Sequence, residues 1–274
     1  MYEDFEIERR VFEGKGRVFC IASAGSTAMA LSESHEVVAC DINPVQLAYA
    51  ERRAAGGAAE VGDAERAMQF ARAFMPLIGW RAGVVREFLA LADVREQVGF
   101  WREHLDTSRF RVGFDSLMSP AILRFVYARE FLACLPPRFG SVLRSRLERN
   151  FARHANAANP FLRGLFLGEH QEMRPASQIQ FVLGNAAGYL ESCEKGSFEA
   201  FTLSNILDGT SASYRERLLR AVRRAGSDDA VVVLRSFGEP PPGLTRNDAV
   251  EDRAMLWGVV EVNRATQGHE ARRM

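Results

Sequence analysis

The order of apolar and polar positions near the amino terminus predicts two buried parallel strands with a short helix between them. The apolar runs Val18–Ala22 and Glu36–Asp41 contain β-branched or aromatic residues, and a stretch of small residues separates them. Apolar runs of this length are typical of strands covered on both faces. With a helix around Thr27–Ser32, the pattern predicts a nucleotide-binding βαβ unit.

Later apolar runs predict the rest of the same sheet. A helix is expected at Tyr214–Ala225, where Gly226 stops it. The further strands are expected at Ile179–Leu183, Phe198–Leu203, Ala230–Leu234 and Trp257–Val262. Strands that alternate with helices favour a doubly wound α/β sheet. A repeat period of roughly 20–50 residues, typical of solenoids, is absent.

A long helical stretch interrupts this pattern. Residues 58–175 show helical periodicity over far more chain than a crossover between parallel strands needs. We therefore expect residues 1–57 and 176–274 to form the two parts of a Rossmann-like domain and residues 58–175 to form an inserted helical cap. Its helices are expected at Ala64–Phe74, Val84–Ala92, Arg95–Leu105, Ala121–Leu135 and Gly140–His154. A turn at Asn159-Pro160-Phe161 and a short segment at Leu165–Gly168 are expected to return the chain to the core.

Aromatic and basic residues of the insert allow two interpretations each. The large apolar residues are expected to form its core, with contact to an acceptor as the alternative; they are Phe70, Phe74, Leu77, Trp80, Phe88, Trp101, Phe125, Phe131 and Phe151. The arginines at 144, 146, 149 and 153 are expected to form a solvated helix face. Contact of these arginines with a lipid surface or an anionic acceptor is the alternative.

The turn after the first strand is the strongest candidate for a ligand site. Ser23 and Gly25 belong to a run of small residues that lets the backbone approach a ligand closely. Asp41 ends the second strand, where a carboxylate can accept hydrogen bonds from both hydroxyls of a ribose. Asn43 can cap the next helix, which has Pro44 in its first turn. Because no second Gly-rich phosphate cradle follows, the sequence favours an adenosyl ligand without phosphates.

Polar residues at the ends of the other strands add to this candidate site, because ligands of open α/β sheets bind at the carboxyl ends of strands. Asn185 follows the third predicted strand, at the position where a side chain would meet the adenine amino group. Asn205 and Asp208 follow the fourth strand, and Arg235 ends the fifth. The acidic group Tyr2-Glu3-Asp4 would lie at the rim of the site if the amino terminus folds back, and is otherwise a solvated terminus.

Composition narrows the class of partner. Thirty-five basic and 35 acidic residues give zero formal net charge, which disfavours a nucleic-acid ligand. The polar, acidic start of the chain does not resemble a signal peptide, so a cytoplasmic protein is expected. The four cysteines form no CxxC pair and are expected to be reduced, structural thiols. The five histidines show no metal-ligand spacing, so no metal is expected.

Several short motifs together resemble the betaine-lipid-type S-adenosylmethionine 3-amino-3-carboxypropyltransferases. They occur in order across nearly the whole chain: Tyr2-Glu3-Asp4, IASAG at 21–25, Asp41-Ile42-Asn43-Pro44 with Gln46-Leu47, Asn159-Pro160-Phe161, LSNILD at 203–208, LRS at 234–236 and Asp252-Arg253. Ile21 and Ser23 stand where ordinary methyltransferases usually carry an acid and the first glycine. Gly209-Thr210 departs from the lipid enzymes, which tend to have bulkier residues there.

The resemblance implies a class I methyltransferase-like, Rossmann-type fold that binds S-adenosylmethionine as co-substrate and delivers its aminocarboxypropyl arm. The residues expected to bind the cofactor are Ser23, Gly25, Asp41, Ile42, Asn43, Asn185, Ala186 and Asn205. Arg235 and Arg253 are expected to hold the ligand carboxylate, because an arginine can form a fork with it. Asp208 and Asp252 are the candidate general bases. As alternatives, Asp252 pairs with Arg253, or Asp208 caps the next helix.

Other functions remain open at this stage. The acceptor could be a lipid or small-molecule hydroxyl, a phenol or an amine, and attack by the ligand's own amine would give a ring. A lipid acceptor would bring peripheral contact with a membrane. An ordinary methyltransferase shares the fold and differs in which sulfonium carbon faces the acceptor. A non-catalytic adenosyl-ligand-binding protein would keep Asp41 and Asn185 without turnover.

Overall fold

The computed structural model describes residues 3–58, 63–176, 178–244 and 246–265. In this part of the chain, six strands form one mixed sheet. The strands are β1 (Arg17–Ile21), β2 (Glu36–Asp41), β3 (Ile179–Leu183), β4 (Phe198–Thr202), β5 (Gly226–Ser236) and β6 (Val259–Arg264). Their order is β3-β2-β1-β4-β5-β6. The first five run parallel, and β6 is antiparallel to β5. The predicted doubly wound, Rossmann-type α/β fold is confirmed.

Helices cover the sheet and fill the insert. Those outside the insert are α1 (Glu6–Val11), α2 (Ser26–Leu31), α3 (Pro44–Ala54), α12 (Ala186–Ser192) and α13 (Ala212–Ala225). Those of the insert are α4 (Asp63–Ala73), α5 (Ala82–Ala90), α6 (Val94–Phe100), α7 (Ser108–Leu117), α8 (Pro120–Leu123), α9 (Arg129–Leu132), α10 (Phe139–Phe151) and α11 (Pro160–Leu167). Short 3₁₀ turns lie at Met75–Ile78, Asn156–Ala158 and Asp248–Val250, and a π-helical turn at Trp101–Leu105 follows α6.

Alternating side chains of the strands build an apolar core on each face of the sheet. Phe19 of β1 packs with α12 and α13, whereas its neighbours Val18 and Cys20 pack with α1, α2 and α3. This alternation follows from the two-residue period of a strand. The thiols of Cys20 and Cys40 are free and buried, and burial raises the pKa of Cys40 to about 11. Cys20 is therefore a core residue, as predicted, and Cys40, equally buried, also borders the cavity described below.

The insert has an apolar core of its own, built on stacked aromatic rings. Trp80, Phe88, Trp101 and Phe151 are almost fully buried there, as predicted. Phe110 and Phe166, which sequence reasoning did not single out, join them. The prediction is wrong for four of the named residues, because Phe70, Phe74, Leu77 and Phe125 are exposed. That residues 58–175 form a separate subdomain stays a prediction.

Two segments of the insert differ from the predicted elements. The helix expected at Ala121–Leu135 is broken into α8 and α9, because the Leu123 carbonyl accepts from the N–H groups of both Val126 and Tyr127 and the chain then extends at Ala128. The turn expected at Asn159-Pro160 is instead the start of α11, with Asn159 as N-cap and proline in the first turn.

Three of the four arginines in and just after α10 have partners within the chain. Arg144 forms a fork with Asp115, and Arg153 pairs with Glu251. Arg146 is buried, donates to the Leu256 carbonyl at 2.8 Å and pairs with Glu239 at 2.7 Å. The expectation of a solvated basic face is therefore wrong for Arg146, which attaches the insert to the segments around β6, whereas Arg149 and Arg153 are exposed. The lipid-facing alternative stays a prediction. Among the described helices, none is both long and apolar enough to cross a membrane.

Candidate functional site

A cavity of about 380 Å³ opens at the carboxyl ends of β1, β2 and β3. The loop that follows β4 and the first turn of α13 form its far wall. The lining residues are Ile21, Cys40, Asp41, Ile42, Gly184, Asn185, Ala186, Ile206, Thr210, Ser211 and Tyr214. Four of the predicted cofactor residues are among them. Among the described residues, the lining contains one carboxylate and no lysine or arginine.

Asp41 joins the two loops at the mouth of this cavity. One carboxylate oxygen accepts from the Ser23 N–H at 3.2 Å, and the other accepts from the Asn43 N–H at 2.9 Å. Asp41 remains partly exposed. Because a carboxylate oxygen can accept two hydrogen bonds, each oxygen can still take one from a ligand hydroxyl.

Other predicted cofactor residues shape the loops. The side chain of Asn43 accepts from Val45 N–H at 3.0 Å and caps α3, and Asn43 is not among the cavity-lining residues. Gly25 has φ +82°, and a Cβ atom there would lie 3.1 Å from the Cβ of Ala50. Close packing on α3 therefore requires a glycine here. The sequence instead predicts that a close approach of the backbone to the ligand requires it.

Asn185 and Tyr214 meet at the deeper side of the cavity. Asn185 caps α12 by accepting from the Gly188 N–H at 3.1 Å. Burial raises the pKa of the Tyr214 hydroxyl, and hydrogen bonds from the Ala187 N–H and the Asn185 side chain lower it by less. Asn185 therefore offers a fixed amide to a ligand, as the predicted adenine contact requires, although that role stays a prediction.

Sequence reasoning missed the wall formed by Ile206, Thr210, Ser211 and Tyr214. Ser211 is the N-cap of α13, and its hydroxyl accepts from the Tyr214 N–H at 3.2 Å. An N-cap serine shortly after a strand end is a signal that places the first turn of the helix beside the site. The predicted residue Asn205 is not among the cavity-lining residues; its side chain receives a hydrogen bond from the Ser204 hydroxyl at 3.3 Å.

Asp208 links the ends of β4 and β5. Its carboxylate accepts from the Ser236 hydroxyl at 2.7 Å and from the Phe237 N–H at 3.0 Å. The alternative that Asp208 caps the next helix is wrong, since Ser211 occupies that position. Asp208 is partly exposed, which is compatible with the role of a general base. That role stays a prediction.

The placement of Arg235 and Asp252 contradicts their predicted roles. The Arg235 side chain is fully buried, where it pairs with Glu8 of α1 and donates to Asp252 at 3.2 Å. Asp252 also accepts from the Ala254 N–H at 2.8 Å, so the structure leaves it no path to an acceptor. Glu8 and Asp252 raise the pKa of Arg235 well above its usual value, although burial alone lowers it. The strand-end rule could not detect this closed network.

Arg253 is also occupied. It forms a fork with Asp4, at 2.5 and 2.6 Å, in place of the predicted fork with a ligand carboxylate. The alternative pairing of Asp252 with Arg253 is wrong for the same reason. Glu3 and Asp4 fold back over the carboxyl ends of the strands, so the solvated-terminus interpretation is wrong for them. Tyr2 lies outside the described residues. Among described residues, no group of three or more His, Cys, Asp or Glu could hold a metal.

The sequence matches no protein-family model and no curated protein. Among solved structures, the chain is similar to a SAM-dependent methyltransferase from Methanosarcina mazei, with 13% identity over 85% of this chain and 57% of that chain and a TM-score of 0.36. It is also similar to a protein from Nostoc punctiforme provisionally named an O-methyltransferase, with 12% identity over 95% of this chain and 44% of that chain and a TM-score of 0.36. The chain spans about half the length of these two proteins. Neither similarity supports an assignment of activity.

The titration of Asp252 gives a testable dependence of stability on pH. Desolvation raises the pKa of Asp252 to about 7, against the opposing effect of Arg235. An unfolded aspartate titrates near ~3.9, so the native state binds more protons between the two values. This contribution to stability is fully present below about pH 4 and is lost as the pH rises through 7, by roughly 3–5 kcal/mol. In Asp252→Asn, the free energy of unfolding should therefore decline less with rising pH than in the parental protein. Urea titration at several pH values measures it.

The exposed Asp228→Asn variant is the control, since Asp228 lies at the opposite end of β5 from Arg235. It should keep the parental pH dependence. Equal slopes for all three proteins would contradict the assignment.

Proposed function

We propose that the chain binds S-adenosylmethionine in the 380 Å³ cavity and transfers its 3-amino-3-carboxypropyl group to an acceptor heteroatom, releasing methylthioadenosine. The observation that carries the proposal is the chemistry of the cavity lining, in which a single carboxylate ends β2 and no cationic side chain is present. A nucleoside phosphate requires donors or cations for its phosphate groups. An adenosyl sulfonium has no phosphate and carries a positive charge, which suits this lining.

Each group of the ligand has a partner in the cavity. The ribose hydroxyls would donate to the two oxygens of Asp41, which already bind the backbone of the flanking loops. The purine would lie between the apolar side chains of Ile42 and Ile206. Its amino edge would meet Asn185, which α12 holds by the capping hydrogen bond. These contacts position the sulfonium toward β4 and the loop at Asp208.

The reaction requires positioning more than strong acid or base chemistry. The acceptor heteroatom attacks the γ-carbon of the arm, the bond from that carbon to sulfur breaks, and its electron pair neutralises the sulfonium as methylthioadenosine leaves. The acceptor then gives up its proton, for which Asp208 is the remaining candidate base. Because the leaving group is good, alignment and exclusion of water supply most of the rate enhancement.

Transfer of the arm competes with methyl transfer in the same cavity. Ile21 and Ser23 replace the acid and first glycine that ordinary methyltransferases usually carry, and this favours the aminocarboxypropyl reaction through the resemblance of the motifs. A methyltransferase would release adenosylhomocysteine, ring formation would need no acceptor, and a binding protein would release neither product.

The acceptor side of the site is formed by the insert. A Cβ atom on Gly209 would lie 2.9 Å from the Phe131 backbone nitrogen, so α9 packs directly on the loop that lines the cavity. The turn before α9 exposes several apolar side chains, which are Ile122, Phe125, Val126 and Tyr127. Arg124 lies 5.2 Å from the centre of the Phe125 ring. An exposed aromatic and basic turn of this kind fits a lipid surface, so a lipid hydroxyl is the acceptor class that we favour over a small molecule.

Substitution of Asp41 tests the binding site. Asp41→Ala removes a charged acceptor, which typically contributes about 1.5–3 kcal/mol, so affinity for S-adenosylmethionine should fall roughly 10- to 100-fold. Isothermal titration calorimetry measures this change. Asp228→Ala, at the amino end of β5 and so at the opposite end of the strands from the cavity, should bind like the parental protein. Unchanged affinity in a folded Asp41→Ala protein would place the ligand elsewhere.

Product analysis tests the reaction. Incubation with S-adenosylmethionine and a lipid extract should yield methylthioadenosine and an acceptor heavier by the aminocarboxypropyl mass. Asp208→Asn should slow release by about 10²–10⁴-fold if Asp208 is the base, with affinity preserved. Ser236→Ala is the control, because it removes a hydrogen bond to Asp208 but keeps the carboxylate. Adenosylhomocysteine as product would show methyl transfer, and parental rates in Asp208→Asn would exclude the base.

Vesicle binding tests the lipid contact. Phe125 is 77% exposed, and its removal from a membrane interface should cost about 1.5–3 kcal/mol. Phe125→Asp should therefore weaken co-sedimentation with phosphatidylcholine–phosphatidylglycerol vesicles by roughly tenfold or more. Leu183→Asp, at the exposed edge of the sheet on β3, is the matched control. Equal losses in both variants, or no binding by the parental protein, would contradict contact through this turn.

A further inference from the structure

The side chain of Glu3 lies at the point where the winding of the sheet reverses. Its carboxylate accepts a hydrogen bond from the hydroxyl of Thr27 at 3.2 Å and another from the hydroxyl of Ser204. Thr27 is in the first turn of α2, which follows β1, and Ser204 directly follows β4. Since β1 and β4 are neighbours in the sheet, Glu3 spans the crevice in which open α/β sheets bind their ligands.

Glu3 is ionised and partly exposed. Burial raises the pKa of its carboxyl, but the charges of Arg235 and of the amino terminus and the hydrogen bonds from Ser204 and Thr27 outweigh this effect and lower the pKa overall. Glu3 is partly exposed, whereas Asp4 and Glu8 of the same segment are buried. Glu3 is thus the acid of this segment that keeps exposed surface at the crevice.

The nearby arginines do not hydrogen-bond to Glu3 among the described residues. Arg235 binds Glu8 and Asp252, and Arg253 is held in the fork with Asp4. Within the described part of the chain, the hydrogen-bond donors on Glu3 are two neutral hydroxyls. A carboxylate in a crevice without a hydrogen-bonded counter-ion is costly once a ligand excludes water, unless the ligand itself supplies a cation.

We propose that Glu3 binds a primary ammonium group, namely the α-ammonium of the aminocarboxypropyl arm. This inference rests on the function proposed above and assigns the contact for the far end of that ligand. An ammonium group has three N–H donors, and both Glu3 oxygens can each accept a second hydrogen bond. The ligand is then recognised through its amine, in place of the carboxylate recognition that the sequence predicted for Arg235 and Arg253.

The contact also bears on the competing ring-forming reaction. An amine attacks the γ-carbon only through a free electron pair, and a carboxylate beside it favours the protonated form, which has none. Binding of the ammonium by ionised Glu3 thus favours transfer to a separate acceptor over ring closure.

Three ligands separate this role from others by calorimetry. S-adenosylmethionine has the ammonium and the sulfonium charge, adenosylhomocysteine keeps only the ammonium, and methylthioadenosine lacks the whole arm. Glu3→Gln should weaken binding of the first two by about 10- to 100-fold and leave methylthioadenosine unchanged. Glu6→Gln is the matched control, because Glu6 is an exposed acid of α1 that pairs with Arg9. It should bind all three ligands like the parental protein.

The other outcomes overturn the inference. An equal loss for methylthioadenosine would make Glu3 a structural residue, a loss confined to S-adenosylmethionine would make it a sulfonium contact, and no loss would remove it from the site. If Glu3→Gln does not fold, the parental protein decides, because deaminated adenosylhomocysteine should then bind as weakly as methylthioadenosine. If deaminated adenosylhomocysteine binds as tightly as adenosylhomocysteine, the inference is rejected.

Failure of the parental protein to bind any of the three ligands would instead reject the proposed function.

Discussion

The buried guanidinium of Arg235 is the interaction on which the arrangement of the site depends. The side chain extends from β5 into the protein interior, where its positive charge must be neutralised. Removing one partner of a buried ion pair typically costs about 3–5 kcal/mol of stability. Glu8 provides most of this neutralisation and also accepts from the Thr202 hydroxyl of β4 at 2.8 Å. The requirement fixes α1 across the ends of β4 and β5. The residues before α1 are thereby carried to the switch point of the sheet, where Glu3 lies.

This constraint decides which charges remain for a ligand. Arg235 and Arg253 are paired with acids of the amino-terminal segment and with Asp252, so they hold the fold together and are not among the cavity-lining residues. The carboxylates that stay partly exposed are Asp41 at the end of β2 and, near the end of β4, Asp208 and Glu3. A site with this balance discriminates by charge, since a cationic ligand gains from both ends and a phosphorylated one is repelled by both.

The sequence predicts the sheet well because its strands are continuous apolar runs with polar residues at their ends, and Asp41 and Asn185 follow from the strand-end rule. It fails for Arg235, whose partner Glu8 is 227 residues away along the chain. No local pattern contains that pairing. The break between α8 and α9 is missed for a similar reason. Helix α9 packs against Gly209, and its residue Phe131 contacts the Phe237 ring edge-on. These tertiary contacts override the helical periodicity of the sequence.

Gly209 shows how the two halves of the site depend on each other. Its φ of +75° and its contact with the backbone of Phe131 exclude a larger residue while α9 stays in place, and its N–H donates to the Cys134 sulfur at 3.0 Å. The lipid enzymes tend to have bulkier residues at this position. Here the insert lies so close that only a glycine fits. Because the same loop lines the cavity on its other side, the proposed function would assign the nucleoside end of the site to the strands and the acceptor end to the insert. A change of acceptor would then arise in α8, α9 and the turn between them, with the ligand-binding strands left as they are.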